Sequence, residues 1–318
     1  MAEVQEAVRA AVRRLLEEGA VGTVLAHQDG FDPLHPVPLF ARRPDQADRV
    51  EVGPFDAGSL AKYLLRLQGE EKPVAVVARG CEVRGIQRLA ADHRVDRSRL
   101  QVIGVPCRGS LDARKVEALG LGPVGAVREE AEEVVLHLED GERRLPRRDF
   151  LLSRCLTCDA RNPEDADQVV GEPVDATPYQ AIDYGEVDRL EAMPPEERAS
   201  FWQDQFSRCL RCYACRNVCP ACSCAMCALE SEEPRWLSRG TGPADQEMYH
   251  FIRATHVAGR CIDCHECERV CPQEIPLMLL NHKLLRDVET LFRLEAAHHP
   301  AVHEPLGFYQ PDDPDEFH

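Results

Sequence analysis

Cysteines with the spacing of iron–sulfur ligands dominate the second half of this sequence. Two runs share one pattern: Cys209-x2-Cys212-x2-Cys215-x3-Cys219-Pro220 and Cys261-x2-Cys264-x2-Cys267-x3-Cys271-Pro272. Two-residue gaps let successive thiolates reach different irons of one 4Fe–4S cubane, and the fourth cysteine, with proline behind it, ligates the other cluster. The pattern therefore predicts two clusters, the first on Cys209, Cys212, Cys215 and Cys271, the second on Cys261, Cys264, Cys267 and Cys219.

Structural zinc is the alternative, because pairs of C-x2-C also bind zinc. A zinc ion needs only four ligands, however, and has no use for a third closely spaced cysteine followed by Cys-Pro. The pattern occurs twice here and favours iron–sulfur chemistry. A zinc scaffold would be colourless, which separates the two interpretations.

Three further cysteines, Cys222, Cys224 and Cys227, lie between the two motifs. Their spacing is compatible with tuning or shielding a cluster, with replacing a ligand, and with burial as small apolar residues. The sequence does not choose among these roles. A further all-cysteine cluster would have to borrow a ligand from elsewhere.

The first half of the chain offers a third set of thiols. Cys81 and Cys107 each follow a short apolar run, at the carboxyl ends of expected parallel strands, where α/β sheets place their ligands. Each is expected to precede a helix whose N-terminal amides would stabilise an anionic cluster. Cys155 and Cys158 supply two more thiolates. The spacing leaves two interpretations open: a third cluster, or buried packing for Cys81 and Cys107 with another role for the pair.

The elements that must position these cysteines alternate between strand and helix. Continuous apolar runs over 74–78 and 101–105 predict buried strands, and the helical pattern between them predicts a parallel βαβ unit. Helices are also expected at the N-terminus, where the pattern is amphipathic, and over 58–67, 83–93, 186–206 and 275–292. A further strand is expected over 21–26, and a hairpin with an Asp-Gly turn after 134–138. The segments 30–38, broken by prolines, and 162–179 are expected to be a loop and a connection.

The sequence thus predicts an α/β N-terminal domain with a parallel sheet, followed by an α+β ferredoxin-like two-cluster domain with flanking helices. The expected bounds are 1–175 for the first domain, 176–206 for a helical linker, 207–295 for the dicluster domain and 296–318 for an extended C-terminal arm.

Composition narrows the class of protein. A net charge of −17 argues against nucleic acid as a partner, and no apolar stretch is long enough to span a bilayer. The N-terminal pattern is that of an amphipathic helix rather than a secretion signal. We therefore expect a cytoplasmic protein, where cysteines stay reduced and indicate metal or redox chemistry.

Several segments resemble one family. ARGCEVRGIQRL, VIGVPCRG and CLTCDARNPEDADQVVG are similar to the beta subunits of coenzyme F420-reducing hydrogenases and F420-linked formate dehydrogenases, and VGTVLAHQDG and GSLAKYLL fit the same family's N-terminal region. RCYACRNVCPACSCAMC and HVAGRCIDCHECERVCPQEIPLMLL resemble ferredoxin extensions in members that work beside heterodisulfide-reductase-like complexes. The resemblance implies a third 4Fe–4S cluster, on Cys81, Cys107, Cys155 and Cys158.

The chain also departs from that family. Members that reduce a deazaflavin continue after the C-x2-C pair with a long flavin-binding segment, whereas here Gly171 leads quickly into a charged helix, and no G-x-G-x-x-G is present. Binding of FAD or F420 is therefore possible but not favoured. Residues without partners at catalytic spacing are expected to be packing or surface residues: Trp202, Ser207, Tyr213, His256, His265 and His282.

These features predict a non-catalytic electron-transfer subunit of a cytoplasmic oxidoreductase complex. It would relay single electrons through 4Fe–4S clusters between a flavin or metal catalytic subunit and a heterodisulfide-reductase-like partner. The resemblance implies partner subunits of a hydrogenase, formate dehydrogenase or heterodisulfide-reductase-like complex. The alternative is a flavin-containing subunit that itself oxidises or reduces coenzyme F420 or NAD(P)H.

Overall fold

The computed structural model describes residues 2–130, 132–175, 182–295 and 297–298. These residues form two compact units. The first contains residues up to 83 and those from 95 to 175, and the second contains 84–94 and those from 182 onwards. Apart from 297 and 298, the predicted arm over 296–318 lies outside the described residues. The predicted domain bounds stay predictions.

A five-stranded sheet forms the centre of the first unit. Its strands and the helix that joins two of them are β1 Thr23–Gln28, β2 Val37–Ala41, β3 Val74–Ala78, α2 Gly80–Ala91, β4 Leu100–Gly104 and β8 Gln168–Val169. The strand order is β2-β1-β3-β4-β8. β1 pairs with β2 in antiparallel fashion, whereas the other neighbours are parallel, so the predicted βαβ unit of β3, α2 and β4 is confirmed. β3 is buried along its whole length, as expected of a strand covered on both faces.

The N-terminal helix α1, Ala2–Glu17, packs on this sheet. Val8, Val12 and Leu15 recur at helical spacing and are buried, which confirms the amphipathic helix. The remaining elements of this unit are α3 Ala113–Glu117, β5 Val124–Glu129, β6 Glu133–Leu138, β7 Gly141–Pro146, α4 Arg147–Phe150 and α5 Ser153–Leu156. The three strands form a separate antiparallel sheet in the order β5-β6-β7. The predicted hairpin is present, but its two turn residues are Glu139 and Asp140 rather than Asp-Gly, because Gly141 already pairs with Leu138 as the first residue of β7.

The second unit differs from the predicted α+β arrangement. Its described residues contain helices and loops and no strand. Short helical turns occupy the three-residue gaps of both cysteine motifs, and the flanking segments have helical rather than alternating patterns, so nothing there favours a strand. The helices are α6 Gly185–Glu191, α7 Pro195–Ser207, α8 Ala214–Val218, α9 Pro243–Val257, α10 Glu266–Arg269 and α11 Leu277–Phe292.

Three local predictions for the first unit were inaccurate. The proline-rich loop over 30–38 runs into strand β2, the segment over 58–67 forms the 3-10 helix Ala61–Leu67 rather than an α-helix, and the connection over 162–179 contains β8. Within the described part of the chain, no helix has both the length and the apolar character needed to cross a membrane.

Candidate metal centres

The first unit brings its four cysteines together. Cys81 lies in the first turn of α2, and Cys107 lies in the loop after β4, so both follow the carboxyl ends of neighbouring parallel strands. The thiol of Cys158 lies near enough to those of Cys81, Cys107 and Cys155 for their charges to interact. The structure therefore gathers the four residues that the sequence singled out, although their role as ligands stays a prediction.

Two glycines permit this approach. A Cβ at Gly80 would lie 2.2 Å from the carbonyl oxygen of Ala160, two residues after Cys158. Gly109 has a φ of +98°, and a Cβ there would lie 3.0 Å from the Cβ of Cys155. Any side chain at these two positions would force apart the segments that carry the cysteines.

Backbone amides point at two of these sulfurs. Gly109 N donates to Cys107 Sγ, and Ser110 N donates to Cys155 Sγ, each at 3.3 Å. The expected helix N-terminus is present only at Cys81, because α3 does not begin until Ala113. The expectation of a helix directly after Cys107 was wrong, since the chain there turns through loop backbone whose amides take over the donor role.

Burial and neighbouring charges set the electrostatics of this site. Burial raises the pKa of Cys81 to about 12 and that of Cys158 to about 11. The guanidinium of Arg79 lowers the pKa of Cys81 and Cys107, opposing that increase. Arg79 is 8% exposed; its Nε donates to Glu82 at 3.1 Å, but its Nη2 has no partner among the described residues. An anion beside Nη2 would satisfy it.

In the second unit, the first motif lies with the last cysteine of the second motif. Burial raises the pKa of Cys209. The charges that add to this increase come from Cys215, Cys212 and Cys271. The charges of Cys271 and Cys212 likewise raise the pKa of Cys215, after the larger effect of burial. The four cysteines of the predicted first cluster are thus mutual neighbours.

The last cysteine of the first motif, in turn, lies with the second motif. Burial raises the pKa of Cys261 and Cys264, and in both cases the charge of Cys219 adds to the increase. Burial also raises the pKa of Cys267 to about 12, with a contribution from Cys219. Cys219 therefore lies beside the first three cysteines of the second motif, and Cys271 lies beside Cys209 and Cys215 of the first, which is the crossed arrangement that ferredoxin-type spacing predicts.

Both motifs adopt the same unusual backbone. The residues on either side of the second cysteine, Arg211 and Tyr213 in one motif and Asp263 and His265 in the other, all have φ between 52° and 61°. This left-handed conformation is uncommon outside glycine. It turns an amide towards the sulfurs, as where Arg211 N donates to Cys209 Sγ at 3.3 Å. The repeat in sequence is thus a repeat in structure.

The three additional cysteines line one cavity in the second unit. Cys222, Cys224 and Cys227 surround a space of about 380 Å³ together with Arg216 and Arg253. Cys222 also contacts Cys219, the cysteine of the first motif that is predicted to ligate the second cluster, and its hydrogen bond to that thiol lowers the pKa of Cys219.

His265 and His282, which have no partner at catalytic spacing in the sequence, both contact Asp263. Their Nε2 atoms lie 3.3 Å and 2.7 Å from Oδ1 of Asp263, and the three side chains could together hold a metal ion. Burial opposes ionisation of Asp263, but its hydrogen bonds to the two histidines lower its pKa to about 2. Because α11 supplies His282, this contact depends on tertiary structure and gives no signal in sequence.

Sequence reasoning also missed two buried arginines, Arg79 and Arg253. Arg79 adjoins Gly80-Cys81 and could have been noticed there, whereas Arg253 lies within α9, outside both cysteine motifs. Both keep guanidinium nitrogens without a partner among the described residues.

The donor sets fit 4Fe–4S clusters. Each of the three groups offers four thiols, and each contains a sulfur that accepts a backbone N–H or lies beside a buried guanidinium. A cluster held by four thiolates is anionic, so it would satisfy the unpartnered nitrogens of Arg79 and Arg253. When bound, such clusters supply one-electron transfer.

Comparisons with known proteins agree on one family. The family model for the C terminus of the coenzyme F420 hydrogenase/dehydrogenase beta subunit matches residues 71–192. The F420-dependent formate dehydrogenase subunit beta of Methanocaldococcus jannaschii is 26% identical over 344 residues, covering 89% of each chain. The F420-dependent formate dehydrogenase 1 subunit beta of Methanococcus maripaludis is 27% identical over 362 residues, covering 93% of this chain and 90% of the relative.

Part of the chain also aligns with a solved structure. A chain in the xenon-derivatised F420-reducing NiFe hydrogenase complex from Methanosarcina barkeri aligns with a TM-score of 0.43 and 16% identity. The alignment covers 52% of this chain and 65% of that one.

Proposed function

We propose that this chain, whose resemblance to the coenzyme F420 hydrogenase/dehydrogenase beta-subunit family is confirmed by these matches, relays single electrons through 4Fe–4S clusters within an oxidoreductase complex. The observation that carries the proposal is the crossed arrangement of the two motifs, in which Cys271 lies beside cysteines of the first motif and Cys219 lies beside the first three cysteines of the second. Three closely spaced cysteines from one motif plus the Cys-Pro cysteine of the other form the ligand pattern of two adjacent 4Fe–4S clusters, whereas zinc sites are typically built from C-x2-C pairs.

A relay of this kind needs partner subunits. Clusters carry one electron at a time, whereas hydride donors and disulfide acceptors exchange electrons in pairs. The thiols and guanidiniums gathered at the three sites are suited to be ligands and counter-charges rather than acids, bases or nucleophiles. A flavin or a catalytic metal in another subunit would therefore split the electron pair, and this chain would conduct the single electrons.

The relatives indicate the class of partner. Their names describe beta subunits of F420-dependent formate dehydrogenases, which supports a formate dehydrogenase or hydrogenase catalytic subunit on one side of the relay. On the other side we place a heterodisulfide-reductase-like acceptor, for which the support is the resemblance of the second unit to ferredoxin extensions found beside such complexes. We place the complex in the cytoplasm.

A second candidate function is favoured by one cavity in the first unit. A space of about 1220 Å³ is lined in part by Leu156 and Thr157, the two residues that separate Cys155 from Cys158 in sequence. Its lining also includes five basic side chains, Arg108, Lys115, Arg147, Arg148 and Arg161, and four acidic ones, Glu132, Asp149, Glu172 and Asp175. Clustered guanidiniums suit phosphate groups. A flavin-containing subunit that itself exchanges electrons with coenzyme F420 or NAD(P)H would use such a cavity for its cofactor.

Anaerobic purification of the full chain with its associated subunits tests both functions. The proposed relay predicts a brown protein with about twelve iron atoms per chain if all three sites hold four-iron clusters. It also predicts co-purification with a flavin- or metal-bearing subunit. The second candidate predicts about one flavin per chain after this chain is separated gently from that subunit.

Two results would contradict the relay. Stoichiometric zinc with negligible iron and sulfide would replace the clusters by a structural scaffold. An isolated monomer that oxidised NADH, formate or hydrogen at a normal catalytic rate would show that the chain is itself the enzyme. Eight iron atoms instead of twelve would remove only the site of the first unit.

A further inference from the structure

One buried face of α9 lies against the cysteine motifs. Gln246, Tyr249 and Arg253 recur at positions three and four residues apart, and each is at most 2% exposed. Gln246 Nε2 donates to the carbonyl oxygen of Cys209 at 2.7 Å, and the hydroxyl of Tyr249 lies 3.6 Å from Cys215 Sγ. Arg253 follows one turn later on the same face.

Arg253 reaches both sets of ligands from this position. The thiolates that act on its charge belong to Cys267 and Cys219 of the predicted second cluster, to Cys215 of the first, and to Cys222, which is in neither set. Burial alone would lower the pKa of Arg253, but these thiolates raise it. The side chain also lines the cavity that contains Cys222. One guanidinium thus lies between the two predicted clusters.

The hydrogen bonding of Arg253 is incomplete. Its Nε and Nη1 are buried and have no partner among the described residues. Arginine stays protonated in proteins, and an uncompensated buried charge is strongly destabilising. The anions that act on it within this unit are thiolates, so its charge is fully compensated only when the cysteines are ionised, as they are when they bind a metal.

We propose that Arg253 is a positioning residue that sets the reduction potentials of both ferredoxin-type clusters by placing one fixed positive charge between them. The inference rests on the proposed function, because it requires clusters on these cysteines. Reduction adds one electron to a cluster and breaks no bond, so the site becomes one unit more negative. A nearby cation stabilises that state and raises the potential. Because one charge serves both sites, both potentials depend on it in the same direction.

Redox titration monitored by paramagnetic resonance tests this, using anaerobically purified full chain and dithionite as the reductant. For Arg253→Met we expect both potentials to fall by about 59 mV, a tenfold change in the ratio of reduced to oxidised cluster for a one-electron couple. Arg253→Lys keeps the charge and should restore most of the shift. Arg235→Met removes the same charge from an exposed position between the motifs and should leave both potentials unchanged.

Iron analysis of each variant keeps the outcomes distinct. If Arg253→Met loses iron, Arg253→Gln, which retains polar atoms without the charge, takes its place in the titration. Variants that keep their iron but titrate like the wild type would overturn the inference alone. A shift in only one cluster, or an equal shift in the lysine variant, would overturn it too. Wild-type protein without iron would overturn the proposed function and this inference with it.

Discussion

Replacement of Cys107 by serine tests the third site most directly. Cys107 lies in the loop after β4, where its sulfur accepts a hydrogen bond from the backbone N–H of Gly109 and lies near the guanidinium of Arg79. A serine hydroxyl is a poor ligand for iron, because iron–sulfur clusters are held by thiolates. If the site holds a four-iron cluster, Cys107→Ser should lower the iron content from about twelve to about eight atoms per chain. The clusters of the second unit should survive, since their ligands lie elsewhere.

If Cys107 is only a packing residue, Cys107→Ser should change the unfolding free energy instead of the iron content. Burying a hydroxyl in place of a soft, weakly polar thiol then costs about 1–3 kcal/mol of unfolding free energy. Part of this is offset because the amide of Gly109 can donate to the new oxygen. Such a change would be visible in denaturant unfolding but would leave the iron content of the protein unchanged. The two interpretations therefore predict different observables rather than different sizes of one effect.

The assay is iron and sulfide analysis of anaerobically purified protein, with paramagnetic resonance of the reduced state. Cys224→Ser is the matched control, because Cys224 is an exposed cysteine outside the three predicted ligand sets. Its iron content should equal that of the wild type. An unchanged spectrum and unchanged iron in Cys107→Ser would refute a cluster that uses this ligand. It would mean that the thiols near the strand ends are packing residues.

Two further predictions concern the second unit. Asp92 forms buried ion pairs with Arg88 and Arg260, so Asp92→Ala should reduce the unfolding free energy in urea by about 3–5 kcal/mol; a loss below about 1 kcal/mol would contradict this. Burial, and then the charges of nearby arginines, lower the pKa of His250 to about 3 from an unfolded value of 6.5. As the pH falls below 6.5 the unfolded state takes up a proton first, so the wild type should lose about 1 kcal/mol more than His250→Phe between about pH 7 and pH 5.5. Parallel stability curves for the two proteins would exclude this effect.

Elements with a strong local pattern could be predicted from sequence. The helix Ala2–Glu17 and the strand Val74–Ala78 bury the residues that their periodicity marks as apolar, because each pattern is complete within one element. β2 was missed because Pro38 suggested a loop. It lies on the edge of the sheet, in the order β2-β1-β3, where a missing amide donor is tolerated.

The grouping of the cysteines could be predicted from the sequence, whereas the charged residues beside them could not. Cysteine spacing is a local property, since three ligands of a cluster come from one short loop. The burial of Arg253 depends on how α9 packs on both motifs, and a single arginine in an amphipathic helix carries no mark of that. The same holds for the contact of His282 with Asp263, which joins residues nineteen positions apart.

Both units place a buried arginine beside buried cysteines. In each, burial raises the pKa of most of the predicted ligand cysteines, so without a metal those thiols would stay protonated at neutral pH. A buried arginine would then lack part of its counter-charge. Assembly of a cluster would release those protons and create anions where the guanidiniums of Arg79 and Arg253 already lie. The arginines would therefore favour the ionised, metal-bound form of each site over the empty one. Loss of iron should then weaken both units, because it would remove counter-charge from Arg253 and from the unpartnered Nη2 of Arg79 as well as break the links between loops.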